Sequence, residues 1–82
     1  MARVASADPA REAADLIAIS PKAAECAKVL LATFARREEA IAAAEQMRDM
    51  ALTRGDGRAL LACRFAADLL RLGWTPDAGA KV

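Results

Sequence analysis

Histidine and tyrosine are missing altogether from the 82 residues, and with them go two of the side chains most used for proton transfer and for buried polar networks. A metal centre loses its commonest nitrogen ligand, and two isolated cysteines do not make up a ligand set, so neither a metal nor a cofactor is expected. One tryptophan and two phenylalanines are too few for a platform on which single-stranded bases would stack. No run of about 18 apolar residues occurs, which excludes a membrane-spanning helix and any membrane partner of that kind. The N-terminal MARVASADPA lacks the apolar stretch of a secretory signal, and the expected location is the cytoplasm. Charge gives no direction either, because twelve basic and eleven acidic residues leave a net +1 and are interspersed along the chain.

Glycine and proline are scarce, four and three respectively, while alanine is the commonest residue. That composition reads as helix throughout. The fold class expected is therefore all-α, one domain over residues 1–82, with 1–7 and 76–82 as flexible tails. Asp8-Pro9 marks a helix start, since the aspartate accepts from free amide groups and proline at the first helical position needs no donor. A short helix should run from Pro9 to about Ile19, with Ala10, Ala13, Leu16 and Ile17 on its apolar face. Ser20-Pro21 repeats the start signal and ends the first helix.

From Pro21 to Arg54 there is neither glycine nor proline, although the stretch FARREEAI packs four charges into one turn. Advancing about 100° per residue, Ala23, Leu30, Phe34, Ile41 and Leu52 fall within roughly 40° of one another. A phase that survives the charged turn predicts one continuous central helix of about 50 Å. Arg54-Gly55-Asp56-Gly57 ends it, with Gly55 suited to a left-handed cap and Asp56 to capping the next helix. So short a connection predicts an antiparallel hairpin with a third helix, Arg58 to Leu72, stopped by Gly73 and Thr75-Pro76. Trp74 falls where a hydrophobic residue folds back onto the last helical turn.

The third helix confines its charges, Arg64, Asp68 and Arg71, to a strip about 60° wide, and almost everything else on it is apolar. A short first helix at the far end of a long rod is badly placed to cover that surface. The expectation that follows is a homodimer packed as a helical bundle through Leu61, Phe65, Leu69 and Leu72. A chain of this size buries only about 60 to 65% of its unfolded surface, so a partner subunit is a natural complement. Cys26 and Cys63 both lie in alanine- and leucine-rich helical patterns and are read as buried free thiols, with a disulfide between them the lesser alternative.

Catalytic residues are not expected. Glu38, Glu39 and Glu45 are available, but spacing alone does not separate two carboxylate pKa values. An arginine-lined bundle with Arg37, Arg48 and Arg64 would suit a small dianion, and remains the enzyme-like alternative. Arg54-Gly55-Asp56 spells an adhesion motif that helix capping already explains. The expected function is a non-enzymatic interaction module, an adaptor or stoichiometric inhibitor that occludes a larger protein partner. Trp74, Arg36, Arg37, Arg48, Met47 and Met50 are its candidate contact residues. The same features fit an inhibitor carried by a phage or mobile element, such as an anti-CRISPR protein, a placement that rests on class and on no particular residue. The runner-up is a small dimeric DNA-binding regulator whose Arg54 and Arg58, with Arg3 in the N-terminal tail, touch phosphates.

Overall fold

A computed structural model describes residues 8–77; the expectations placed on 1–7, including Arg3, and on 78–82 lie outside them. Among the described residues all regular structure is helical, in four elements: α1 (Pro9–Ile19), α2 (Pro21–Thr33), α3 (Arg37–Arg54) and α4 (Gly57–Arg71). Asp8 caps α1 as its sequence demands, accepting from the Ala10 and Arg11 amides at 3.1 and 3.3 Å. Ser20 alone separates α1 from α2. It is buried and starts α2 with its backbone carbonyl, which accepts from the Ala23 amide at 2.9 Å; its hydroxyl makes no capping bond.

The single central helix expected from the periodicity is two helices. Phe34 (φ −106°, ψ 139°) and Arg36 (φ −120°, ψ 140°) are extended, and the chain turns between them without glycine or proline. Three helices thus become four, and the longest dimension of the molecule, 40 Å, is shorter than the rod would have been. The reason is tertiary. A 15-residue α4 is only about 22 Å long, so an unbroken rod would leave half of its apolar stripe facing water. Breaking it costs a few helical hydrogen bonds, each worth about 0.5–1.5 kcal/mol net. The Phe34 amide still reaches the Leu30 carbonyl and the Ala40 amide the Arg36 carbonyl, which reduces that cost. In return Leu30, Phe34 and Ile41 all pack into one core, and a large apolar side chain contributes about 1.5–3 kcal/mol when fully buried.

The register shows what the break changes. Ala23, Ala27 and Leu30 are buried on α2 at four- and three-residue spacing, and Ala40, Ala44 and Ala51 on α3 at four and seven, because both helices pack against α4; from Leu30 to Ala40 the buried face turns by about 80°. α3 and α4 are antiparallel, as the short turn predicts: Arg37 at the start of α3 bonds to Leu70 and Trp74 at the end of α4. Gly55 is left-handed (φ 72°, ψ 25°) and donates to the last carbonyls of α3, while Asp56 Oδ1 accepts from the Ala59 amide at 3.1 Å.

The core is made largely of alanine. Ala23, Ala27, Ala40, Ala44, Ala51 and Ala66 are completely enclosed, and Leu69 and Leu70 are the largest side chains that are. Small side chains let helices approach to the short end of the usual 8–10 Å axial separation. Three helices of modest length therefore close around α4 without large residues on every face.

Candidate interaction surface

Shortening the rod brings α1 back over the molecule. It packs against α4 as well as α2, contrary to the expectation that it lies too far away. Between α1 and α4 runs an open cleft of about 410 Å³ lined by Glu12, Asp15, Leu16, Asp68, Arg71 and Leu72. Arg71 is engaged there on both sides, bonding to Asp68 at 3.2 Å and to Glu45 of α3. The strip of charge on α4 is thus partly a clamp to its neighbours, while Arg64 is exposed. Of the four residues expected at a dimer interface, Leu69 is fully enclosed by its own chain, Phe65 and Leu72 are half-buried, and only Leu61 is open to solvent. The premise that α4 has more apolar circumference than one chain can cover is therefore mostly removed, because α1, α2 and α3 share the covering.

The candidate contact residues divide into two groups. Arg37 and Trp74 are half-buried and tied to the chain's own core. Gly73 adopts a left-handed conformation (φ 85°), which folds Trp74 back so that its amide donates to the Leu69 carbonyl at 3.1 Å and its ring packs against the core. Arg37 Nη1 donates to the Leu70 carbonyl at 3.2 Å and to the Trp74 carbonyl at 2.9 Å. A cation at the carbonyl end of a helix is also favoured by the helix dipole. These two residues close the end of α4. Arg48 is half-buried and bonds to Asp49.

Met47 and Met50 are on the outside, together with Arg36, which pairs with Glu38 at 3.0 Å. On α3 the order Met47, Met50, Arg54 steps by three and four residues along one flank. Leu52 lies about 140° round the helix from Met47. It is 65% exposed, although its phase places it with the buried stripe. Exposed aliphatic side chains also include Val29 at 61%, Met50 at 53%, and Met47 and Leu61 at 40%. Val29, Leu52 and Ile19 escaped sequence reasoning because helical phase measures direction and not whether a neighbour is present in that direction. Arg54 and Arg58 are exposed beside the α3–α4 turn, with Asp56 between them. The α2–α3 pair is separated by three residues, as in DNA-reading helix pairs, but the first turn of α3 carries Glu38 and Glu39, which would repel phosphate.

The cysteines meet. Cys26 of α2 is half-buried and Cys63 of α4 buried, both as free thiols, and they lie near enough across the packed α2–α4 pair for each thiol to act on the other. Burial pushes both thiols above the ordinary range; around Cys63, the Cys26 side chain and then Arg54 oppose that rise and Asp56 adds to it. No set of three or more acidic or thiol side chains suited to a metal ion occurs among the described residues, and no helix among them is long and apolar enough to cross a membrane. Comparison with known protein families, curated proteins and solved structures finds no match to this chain.

Proposed function

We propose that the protein is a non-enzymatic interaction module, an adaptor or stoichiometric inhibitor that binds a larger protein partner through the Met47–Met50–Arg54 flank of α3. One observation carries the reading: the interior is filled by alanine while Val29, Met47, Met50, Leu52 and Leu61 stand outside. Met47 and Met50 are three residues apart on α3 and both exposed, so their side chains form adjacent apolar surface of the kind that marks interaction sites. Methionine suits the task, since its unbranched, polarizable side chain adapts to irregular apolar surfaces. Arg54 at the end of the flank adds a charge that fixes orientation. Glu38 and Glu39 are exposed, and Glu45 is occupied by Arg71; such carboxylates support a solvated or structural role better than acid–base catalysis.

The test compares the wild-type chain with the Met47→Glu/Met50→Glu double variant in crosslinking pull-downs from the native host. A protein captured by the first and lost by the second, at unchanged melting temperature, supports the reading. Equal capture by both, or capture of nucleic acid in place of protein, overturns it. Self-association is the second reading, and the exposed Leu61 on the outer face of α4 favours it. Sedimentation equilibrium at low micromolar concentration decides, with a folded monomer removing the homodimer.

A further inference from the structure

Cys26 and Cys63 are 37 positions apart in sequence and adjacent in space. The juxtaposition is built by alanine: Ala23 and Ala27 flank Cys26 on α2, Ala66 and Ala67 follow Cys63 on α4, and all four are enclosed. The two helices pack directly against each other. Forming an S–S bond of about 2.05 Å requires the two side chains to rotate and the helices to close slightly, which small alanine neighbours permit. The two sulfurs also differ in access, Cys26 being half-buried and Cys63 buried. We infer that Cys26 and Cys63 are a reversible disulfide site, in which Cys26 is attacked or attacks first and Cys63 resolves, stapling α2 to α4.

With a low-molecular-weight disulfide such as oxidised glutathione as the oxidant, the Cys26 thiol loses its proton and the thiolate attacks one sulfur of the glutathione disulfide. That S–S bond breaks, one glutathione thiolate leaves, and a mixed disulfide remains on Cys26. The deprotonated Cys63 then attacks the Cys26 sulfur, expelling the second glutathione thiolate. Two protein thiols are oxidised, two electrons pass to glutathione disulfide, and two glutathione thiols form. A reducing cytoplasm keeps the pair open, so the site responds to oxidising conditions. Because burial disfavours both thiolates, exchange is slow at neutral pH. It should rise about tenfold per pH unit on the alkaline side until the raised pKa values are reached.

The test incubates the full chain with oxidised glutathione at pH 8 and follows intact mass, thiol titre and melting. The expected product is a monomer lighter by two hydrogens with no titratable thiol. It should melt about 10 °C higher and be returned to its starting state by dithiothreitol. Cys63→Ser should stop at a mixed disulfide on Cys26, and Cys26→Ser should stay unmodified. Two retained thiols in the folded wild type, glutathione on both cysteines, or disulfide-linked dimers would each overturn the site.

Discussion

The two connections that flank α3 are built on opposite principles. At the α3–α4 turn the chain carries its own instructions: Gly55 supplies a left-handed residue, Asp56 caps the next helix, and the last carbonyls of α3 are met by the Gly55 and Asp56 amides. The α2–α3 link has none of this. Phe34, Ala35 and Arg36 include no glycine, proline or side-chain cap, and neither Ser20 nor Arg36 offers a side-chain bond to the helix it precedes. What holds the link is distant: the ring of Phe34 in the core, and Arg37 reaching residues 33 and 37 positions away. One turn is specified by its own residues, and the other depends on α4 being there to fold onto.

The contrast is sharpest where α4 itself is weakened. Leu70 is completely enclosed in the cluster shared by α2, α3 and α4, so Leu70→Ala should cost about 2–5 kcal/mol, measured by urea denaturation. It is the largest effect expected from any single change considered. Arg37→Ala removes two charge-assisted hydrogen bonds to carbonyls at the end of α4 and leaves those half-buried acceptors to find water. A loss of about 1–2 kcal/mol should follow, and Arg37→Lys should recover only part of it, because a single ammonium lacks the guanidinium's spread of donors. If Arg37→Ala melts with the wild type, the link is not held from a distance. Gly55→Ala tests the local turn. At φ 72° a β-carbon meets no neighbouring atom, so the cost is backbone strain alone, about 1 kcal/mol.

The same contrast governs what was legible in the sequence. Asp8-Pro9, Gly55-Asp56 and Gly73 act within a few residues, and each marks its helix end where the sequence places it. The break at residues 34–36 was not legible, because the large apolar residues Leu30, Phe34, Ile41 and Leu52 keep one helical phase across it, while the positions fully buried on α3 are alanines turned about 80° from Leu30. The only local hints were Thr33 and Phe34, weak helix formers, with the Thr33 hydroxyl bonding back to the Val29 carbonyl at 2.8 Å. Two inferences from the unbroken rod changed with it, the isolation of α1 and the uncovered circumference of α4. Of the candidate surface, Met47 and Met50 were legible as exposed, and Trp74 as a helix lid. The partners of Arg37 and the meeting of Cys26 with Cys63 were not, since both depend on which helix lies opposite.

The smallest expected effect separates two neighbouring arginines in the silent link. Arg36 pairs with Glu38 at 3.0 Å, but the two side chains are 70% and 82% exposed, where water and salt screen the attraction. Its structural contribution is its carbonyl, which accepts from the Glu39 and Ala40 amides and survives truncation of the side chain. Arg36→Ala should therefore leave stability within about 0.5 kcal/mol, or roughly 2–4 °C in melting temperature, beside the larger loss at Arg37 one residue on. A drop at Arg36 as large as that at Arg37 would mean that the link is stapled by its own exposed charges. The distinction between a turn made locally and a turn imposed by α4 would then have no basis.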